Sequence, residues 1–239
     1  MKLKSYIFLL FSSLNHIAFS QRIQQTQAQF KNTSMFRVIE VFDFNGNSLA
    51  YKPYDKSIQG SPFLFDDFQR AQLKFGNGKG IIVEKCNLNL ENNDLLVIDS
   101  NNQTLIVKPG LIKEIIFLNE DSLKEVTYKS GFPSFDNKDS TTFYEVLVKG
   151  KIQLIKRNYK KINSSFNELT RLYDKEFVEY TRTYVFTNGN LKEYKPNTTF
   201  VLSLFDKNQK FVNSYLNENN LNFKKIEEVK KLISYYNNL

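Results

Sequence analysis

Residues 71–118 read AQLKFGNGKGIIVEKCNLNLENNDLLVIDSNNQTLIVKPGLIKEIIFL, and this stretch decides the fold. Five short β-rich runs, AQLKF, IIVEKCNLNL, LLVI, TLIV and IIFL, follow one another at close spacing. Between them stand Asn77-Gly78, Glu91 to Asp94, Asp99-Ser100-Asn101-Asn102 and Pro109-Gly110, each with turn chemistry. No gap is long enough for a helical crossover, so the strands must pair antiparallel as a meander. Within IIVEKCNLNL, strict alternation puts Ile82, Cys86, Leu88 and Leu90 on one face and makes Cys86 a small core residue.

The same pattern continues on both sides. Upstream, FRVIEVFDF (36–44) alternates and stops at Asn45-Gly46, a hairpin signal, and Tyr51, Pro53 and Tyr54 mark a short edge strand or loop. Downstream come a weaker strand around Val126, the loop GFPSFDNKDS (131–140), and TTFYEVLVKG meeting KIQLIKR through Gly150-Lys151. KEFVEYTRTYVF and LKEYK then flank Thr187-Asn188-Gly189-Asn190, another hairpin signal. The period changes after Pro196. Asn197 is a candidate N-cap for NTTFVLSLF, and Asp206 for a helix carrying Phe211, Val212, Tyr215 and Leu216. Residues 224–237 set Ile226, Val229, Leu232, Ile233 and Tyr236 on one stripe. The expected fold class is α+β, mainly antiparallel β, with a helical C-terminal region. An open curved sheet and a partly closed barrel both satisfy the pattern.

Residues 1–20, MKLKSYIFLLFSSLNHIAFS, have the basic start, short apolar run and small-residue exit (Ala18, Ser20) of a secretory signal peptide. The domain reading is therefore a signal peptide at 1–20, a Gln-rich flexible leader at 21–34, an antiparallel β domain at 35–195, and a helical cap packed on the sheet at 196–239. Export by this signal implies a periplasmic or extracellular address. No other run reaches the roughly twenty apolar residues of a membrane helix, so no transmembrane segment is expected in the mature chain.

Removal of the signal has a chemical consequence. The chain has 239 residues, one histidine and one cysteine. The histidine is His16, so the mature form would hold no imidazole. That excludes Ser-His-Asp and Cys-His nucleophiles and histidine-ligated metals. A lone Cys86 cannot form an internal disulfide. Losing Lys2 and Lys4 lowers the formal charge from +8 to +6, with 31 basic against 25 acidic residues. The basic pairs Lys156-Arg157, Lys160-Lys161, Lys224-Lys225 and Lys230-Lys231 are scattered, and Tyr159 beside Lys160 is the nearest approach to an interleaved stacking aromatic; with export, no nucleic-acid partner is expected. No cofactor and no metal site is expected either.

Several stretches resemble an uncharacterised family of secreted or periplasmic proteins from Bacteroidota. They are FDFNGNSLAYKPY (42–54), GSPFLFDDFQRAQLKF (60–75), SGFPSFDNKDSTTFYEVLVKGKIQLIK (130–156), EFVEYTRTYVFTNGNLK (176–192) and the tail VKKLISYYNNL (229–239). The resemblance implies an exported protein of a Gram-negative bacterium. It brings no activity, cofactor or catalytic residue with it.

Without histidine, acid–base chemistry falls to carboxylates, Lys and Tyr. Asp66-Asp67 in SPFLFDDF is the most suggestive carboxylate pair, because its aromatic neighbours could desolvate an acid and stack on a sugar. Adjacent strand residues point to opposite faces, however, and a turn or helix cap fits as well. Glu176 and Glu179 differ by an odd offset and separate in the same way. Asp136, Asn137 and Asp139 offer oxygens without calcium-loop spacing. No catalytic residue is assigned. The recognition surface expected from the sequence is Phe63, Phe65, Asp66 and Asp67 with Phe132, on loops whose Gly and Pro fix the backbone; the same phenylalanines could instead close one end of the core. The expected function is a non-enzymatic binding or envelope-associated module whose partner is an envelope protein, a glycan or a lipid. The alternative is a carboxylate-based hydrolase acting on an envelope or extracellular polymer.

Overall fold

The computed structural model describes residues 51–118, 125–205, 209–219 and 221–239. The signal peptide expected at 1–20 with His16, the expected leader, the strand expected at 36–44 with its Asn45-Gly46 turn, and the expected Asp206 cap lie outside the described residues.

Ten strands form one antiparallel sheet. They are β1 (Gln69–Phe75), β2 (Gly80–Leu88), β3 (Leu95–Ile98), β4 (Thr104–Ile106), β5 (Ile112–Phe117), β6 (Val126–Lys129), β7 (Tyr144–Val148), β8 (Ile152–Asn167), β9 (Leu172–Thr187) and β10 (Asn190–Glu193). Their order is β10-β9-β8-β7-β6-β5-β1-β2-β3-β4: two antiparallel meanders, β1–β4 and β5–β10, joined edge to edge by the pairing of β1 with β5. Three helices follow: α1 (Thr198–Leu202), α2 (Gln209–Asn219) and α3 (Ile226–Asn237).

Turn chemistry sets the corners. At β1–β2, Gly78 takes φ +79° and its N–H donates to Phe75 O at 3.1 Å, closing the hairpin. At β9–β10, Asn188 (φ +50°) and Gly189 (φ +75°) make the two-residue turn that Asn-Gly favours, because both central residues need positive φ. Asp136 (φ +50°) and Asn137 (φ +57°) build the same turn inside the loop before β7, with Phe135 and Lys138 exchanging backbone hydrogen bonds of 3.0 Å.

The expected face of β2 needs correction. Pairing with β1 steps from Ala71–Val83 to Gln69–Cys86, so β2 carries one extra residue there. This bulge reverses the alternation. Ile81 and Val83, not Ile82, are buried on the side of Cys86 and Leu88. Cys86 itself is a fully buried free thiol, as its surroundings in the sequence imply.

Alternate residues of β8 and β9 face two cores. Ile152, Leu154 and Val185 pack under Val201, Phe205, Val229, Leu232 and Ile233, which is how the helical tail caps the sheet. Each fully buried Leu or Ile there contributes about 1.5–3 kcal/mol. On the other face, Ile155 and Tyr184 join Phe132, Tyr144 and Leu191 in an aromatic cluster. Asn197 caps α1 as its position predicts: its side chain accepts from Phe200 N at 2.8 Å.

The sheet order is open, yet the sheet curls. Lys160 N of β8 donates to Leu90 O, just past β2, at 3.0 Å, across a gap that holds four intervening strands. The segment before β1 is threaded into this seam. Leu64 N donates to Leu88 O (2.9 Å), Leu90 N to Pro62 O (2.8 Å), and Gln59 bridges to β9 by bonds to Lys175 and Phe177. The Lys160 ammonium holds the segment from the side, donating to Ser61 O (2.9 Å) and Phe63 O (2.7 Å).

Candidate binding surface

The strands β8 and β9 pair residue for residue from Ile152–Thr187 to Asn167–Leu172 without a register break. The start of β8 and the end of β9 belong to the sheet, with β7 paired to Leu154–Lys156 and β10 to Tyr184–Thr187. Their distal halves form a two-stranded ribbon. Its tip is built by Asn167, whose Oδ1 accepts from Leu169 N (3.0 Å) and Thr170 N (3.2 Å) and whose carbonyl accepts from Arg171 N (2.8 Å). Arg171 then turns the chain back at φ +57°. Leu169 at the apex is 96% exposed, with Leu172 and Tyr173 two-thirds exposed beside it.

The ribbon has two unlike faces. Ile162, Phe166, Tyr173 and Phe177 share one, as the pairs Ile162–Phe177 and Phe166–Tyr173 require. Phe166 and Tyr173 meet edge to face at 5.4 Å. The opposite face carries a basic-aromatic ladder. Tyr159 and Tyr180 stack at 5.5 Å, the Arg157 guanidinium lies 4.4 Å from the Tyr159 ring, and Arg182 pairs with Asp136 at 2.7 Å. A cation over an exposed ring contributes about 0.5–1 kcal/mol, so this ladder stiffens the root of the ribbon.

A polar cluster lies at that root. Asn158 donates from Nδ2 to Tyr128 Oη (2.6 Å) and to Glu145 Oε2 (2.9 Å), and Lys156 Nζ lies 2.8 Å from the same carboxylate oxygen. Burial pushes the Tyr128 phenol well above its usual range, with the Glu145 charge adding to the effect, so it stays neutral. The group pins β6, β7 and β8 together: one carboxylate, already balanced by one ammonium. An adjoining cleft, lined in part by Asn92, Arg157, Asn158 and Tyr159, measures about 50 Å³. That is room for water rather than for a small-molecule ligand, whose pockets run to roughly 300–1,000 Å³. Among the described residues no three His, Cys, Asp or Glu side chains converge as a metal site.

The residues expected from the sequence fall in two places. Phe63 and Phe65 are half-buried in the threaded segment, Phe63 among Tyr51, Tyr54 and Phe68, and Phe65 edge-on to Phe117 at 4.9 Å. Asp66 and Asp67 are exposed at the bend that follows. Phe132 is 6% exposed and packs with Tyr144 and Phe186 in the aromatic cluster, so it belongs to a different group from Phe63. In the 131–140 loop, Asp136 is engaged by Arg182 and Asp139 Oδ1 accepts from Thr141 N at 2.8 Å.

The ribbon residues Phe166, Leu169, Leu172 and Tyr173 were not singled out in the sequence, where the strands were expected to end near Arg157 and to resume at Lys175. A ribbon wet on both faces need not alternate, so NYKKINSSFN (158–167) gives no period-2 signal. Only the Asn167-to-Arg171 turn chemistry could have marked it. The chain matches no protein-family model, no curated protein and no solved structure.

Proposed function

We propose that this chain is an exported, non-enzymatic binding module of the bacterial envelope that engages its partner through the β8–β9 ribbon. One observation carries the reading. Of the eight large hydrophobic side chains exposed among the described residues, six (Ile162, Phe166, Leu169, Leu172, Tyr173 and Tyr180) lie on this one hairpin. Scattered exposed apolar residues are ordinary, but a concentration on one projecting element marks a contact surface. The resemblance to secreted Bacteroidota proteins and the signal-like N-terminus support the envelope address.

The test places a photo-reactive residue at Leu169 and, as a control, at Lys79 in the β1–β2 turn, within the intact chain in its native envelope. A discrete adduct from position 169 and none from position 79 is the expected outcome. Equal labelling from both positions, or none from 169, overturns the reading. Export is checked by the mature N-terminus, which should be Gln21 or a near neighbour.

A further inference from the structure

We propose that the free edge of β8 is a self-association site, at which two copies of the chain pair antiparallel about Ser164 to make a four-stranded β9-β8-β8-β9 sheet. The inference rests on the reading of the ribbon as the binding element and names its partner.

The backbone supplies the register. Lys160 N points away from β9, since it donates to Leu90 O. In an antiparallel ladder, bonded and outward positions alternate, so Ile162, Ser164 and Phe166 also turn their N–H and C=O groups outward. Among the described residues no strand takes up that edge beyond Lys160, and residues 161–166 are all exposed. A free two-stranded ribbon is marginal in water, and an unpaired edge is a template for another strand.

The side chains then fit a two-fold. Pairing about Ser164 sets Ile162 opposite Phe166 of the second copy and Phe166 opposite Ile162, so the edge residues 39% and 55% exposed cover each other. Asn163 meets Ser165, and Lys161 meets Asn167, so no like charges oppose. The three outward residues of each copy exchange six N–H···O bonds. The edge of β9 offers no such solution. Its outward residues are Tyr173, Lys175 and Phe177; a two-fold about Tyr173 would oppose Arg171 to Lys175, one about Lys175 would oppose two ammonium groups, and Gln59 already occupies Lys175 and Phe177. A seven-residue strand is small beside the roughly 800 Å² per partner of a standard interface, so the dimer forms reversibly with rising concentration.

Register-specific crosslinking tests this. Cys86 is buried, so a Ser164→Cys variant carries one reactive thiol. Bonded antiparallel partners sit about 5.5 Å apart between Cα atoms, within disulfide range, whereas residue 163 or 165 does not face its own copy. Under mild oxidation at about 100 µM, Ser164→Cys should form a disulfide dimer at least about tenfold faster than Asn163→Cys or Ser165→Cys. Ser164→Pro removes an outward N–H for which no acceptor stands among the described residues, and should abolish concentration-dependent dimer in sedimentation. Ile162→Lys with Phe166→Lys should also abolish it, and Ile162→Lys with Phe166→Glu should restore it, which a folding defect could not do. Equal crosslinking at 163, 164 and 165, or a chain monomeric at that concentration, overturns the proposal. If the Leu169 probe then captures a different protein or lipid, the binding-module reading stands and only self-association falls; if it captures nothing, both fall.

Discussion

Asn237, the last residue of α3, holds both backbone groups of Ile152, the first residue of β8. Its Oδ1 accepts from Ile152 N at 3.0 Å, and its Nδ2 donates to Ile152 O at 2.8 Å and to Lys149 O at 3.1 Å. One carboxamide therefore serves as a substitute strand at the β7–β8 corner and fastens the helical cap there. Gly150 makes this possible. It takes φ +142°, and a Cβ on it would run into the Asn237 side chain. Asn237→Ala should cost about 1–3 kcal/mol, because it leaves two partly buried backbone groups unpaired. Gly150→Ala should cost at least as much through strain and collision. Denaturant unfolding of the two variants measures both.

Lys160 fastens the threaded segment by two carbonyls. Lys160→Met keeps the stem and removes the ammonium. The expected result is new protease cleavage between residues 55 and 68, with stability lowered by about 1–3 kcal/mol. Cleavage unchanged from the parent would show that the backbone bonds of Leu64 and Leu90 suffice.

Cys86 is fully buried, and desolvation raises its thiol far above the ordinary value. A thiol reagent should leave the native chain unlabelled at neutral pH and label one equivalent after unfolding. Mass spectrometry distinguishes the two, and rapid native labelling would place Cys86 outside the core.

Alkaline pH should weaken the fold. Burial raises the phenols of Tyr128, Tyr144, Tyr184 and Tyr194, the second and fourth to about 12 against an ordinary 10.0. The native state then keeps protons that the unfolded chain releases. Their contribution is fully present below pH 10 and is lost as pH rises from 10 toward 12. Thermal unfolding between pH 8 and 11.5 should show a falling Tm above pH 10, while ultraviolet titration shows a late-ionising group of tyrosines. A Tm constant across that range would contradict the burial of these rings.

The meander, its turns and the helical tail were legible in residues 71–118 and 187–237, because each rests on local signals: Asn-Gly turns, alternation, an Asn cap and a 3.6-residue stripe. The face of Cys86 was only half legible, since a bulge set by pairing with β1 reverses the alternation between Val83 and Cys86. The candidate surface was not legible. Phe63, Phe65 and Phe132 stood out as aromatics beside Gly and Pro, but aromatic character does not tell a core ring from an exposed one. Local sequence is enough to set the class of secondary structure and the antiparallel pairing forced by short connections, and it places the one histidine at position 16. Long-range contacts set the curl that brings Lys160 to Leu90 and the length by which β8 and β9 outrun β7 and β10, with Gln59 bridging to β9 beyond them. Both depend on contacts between residues far apart in the chain, and such contacts leave no period in the sequence.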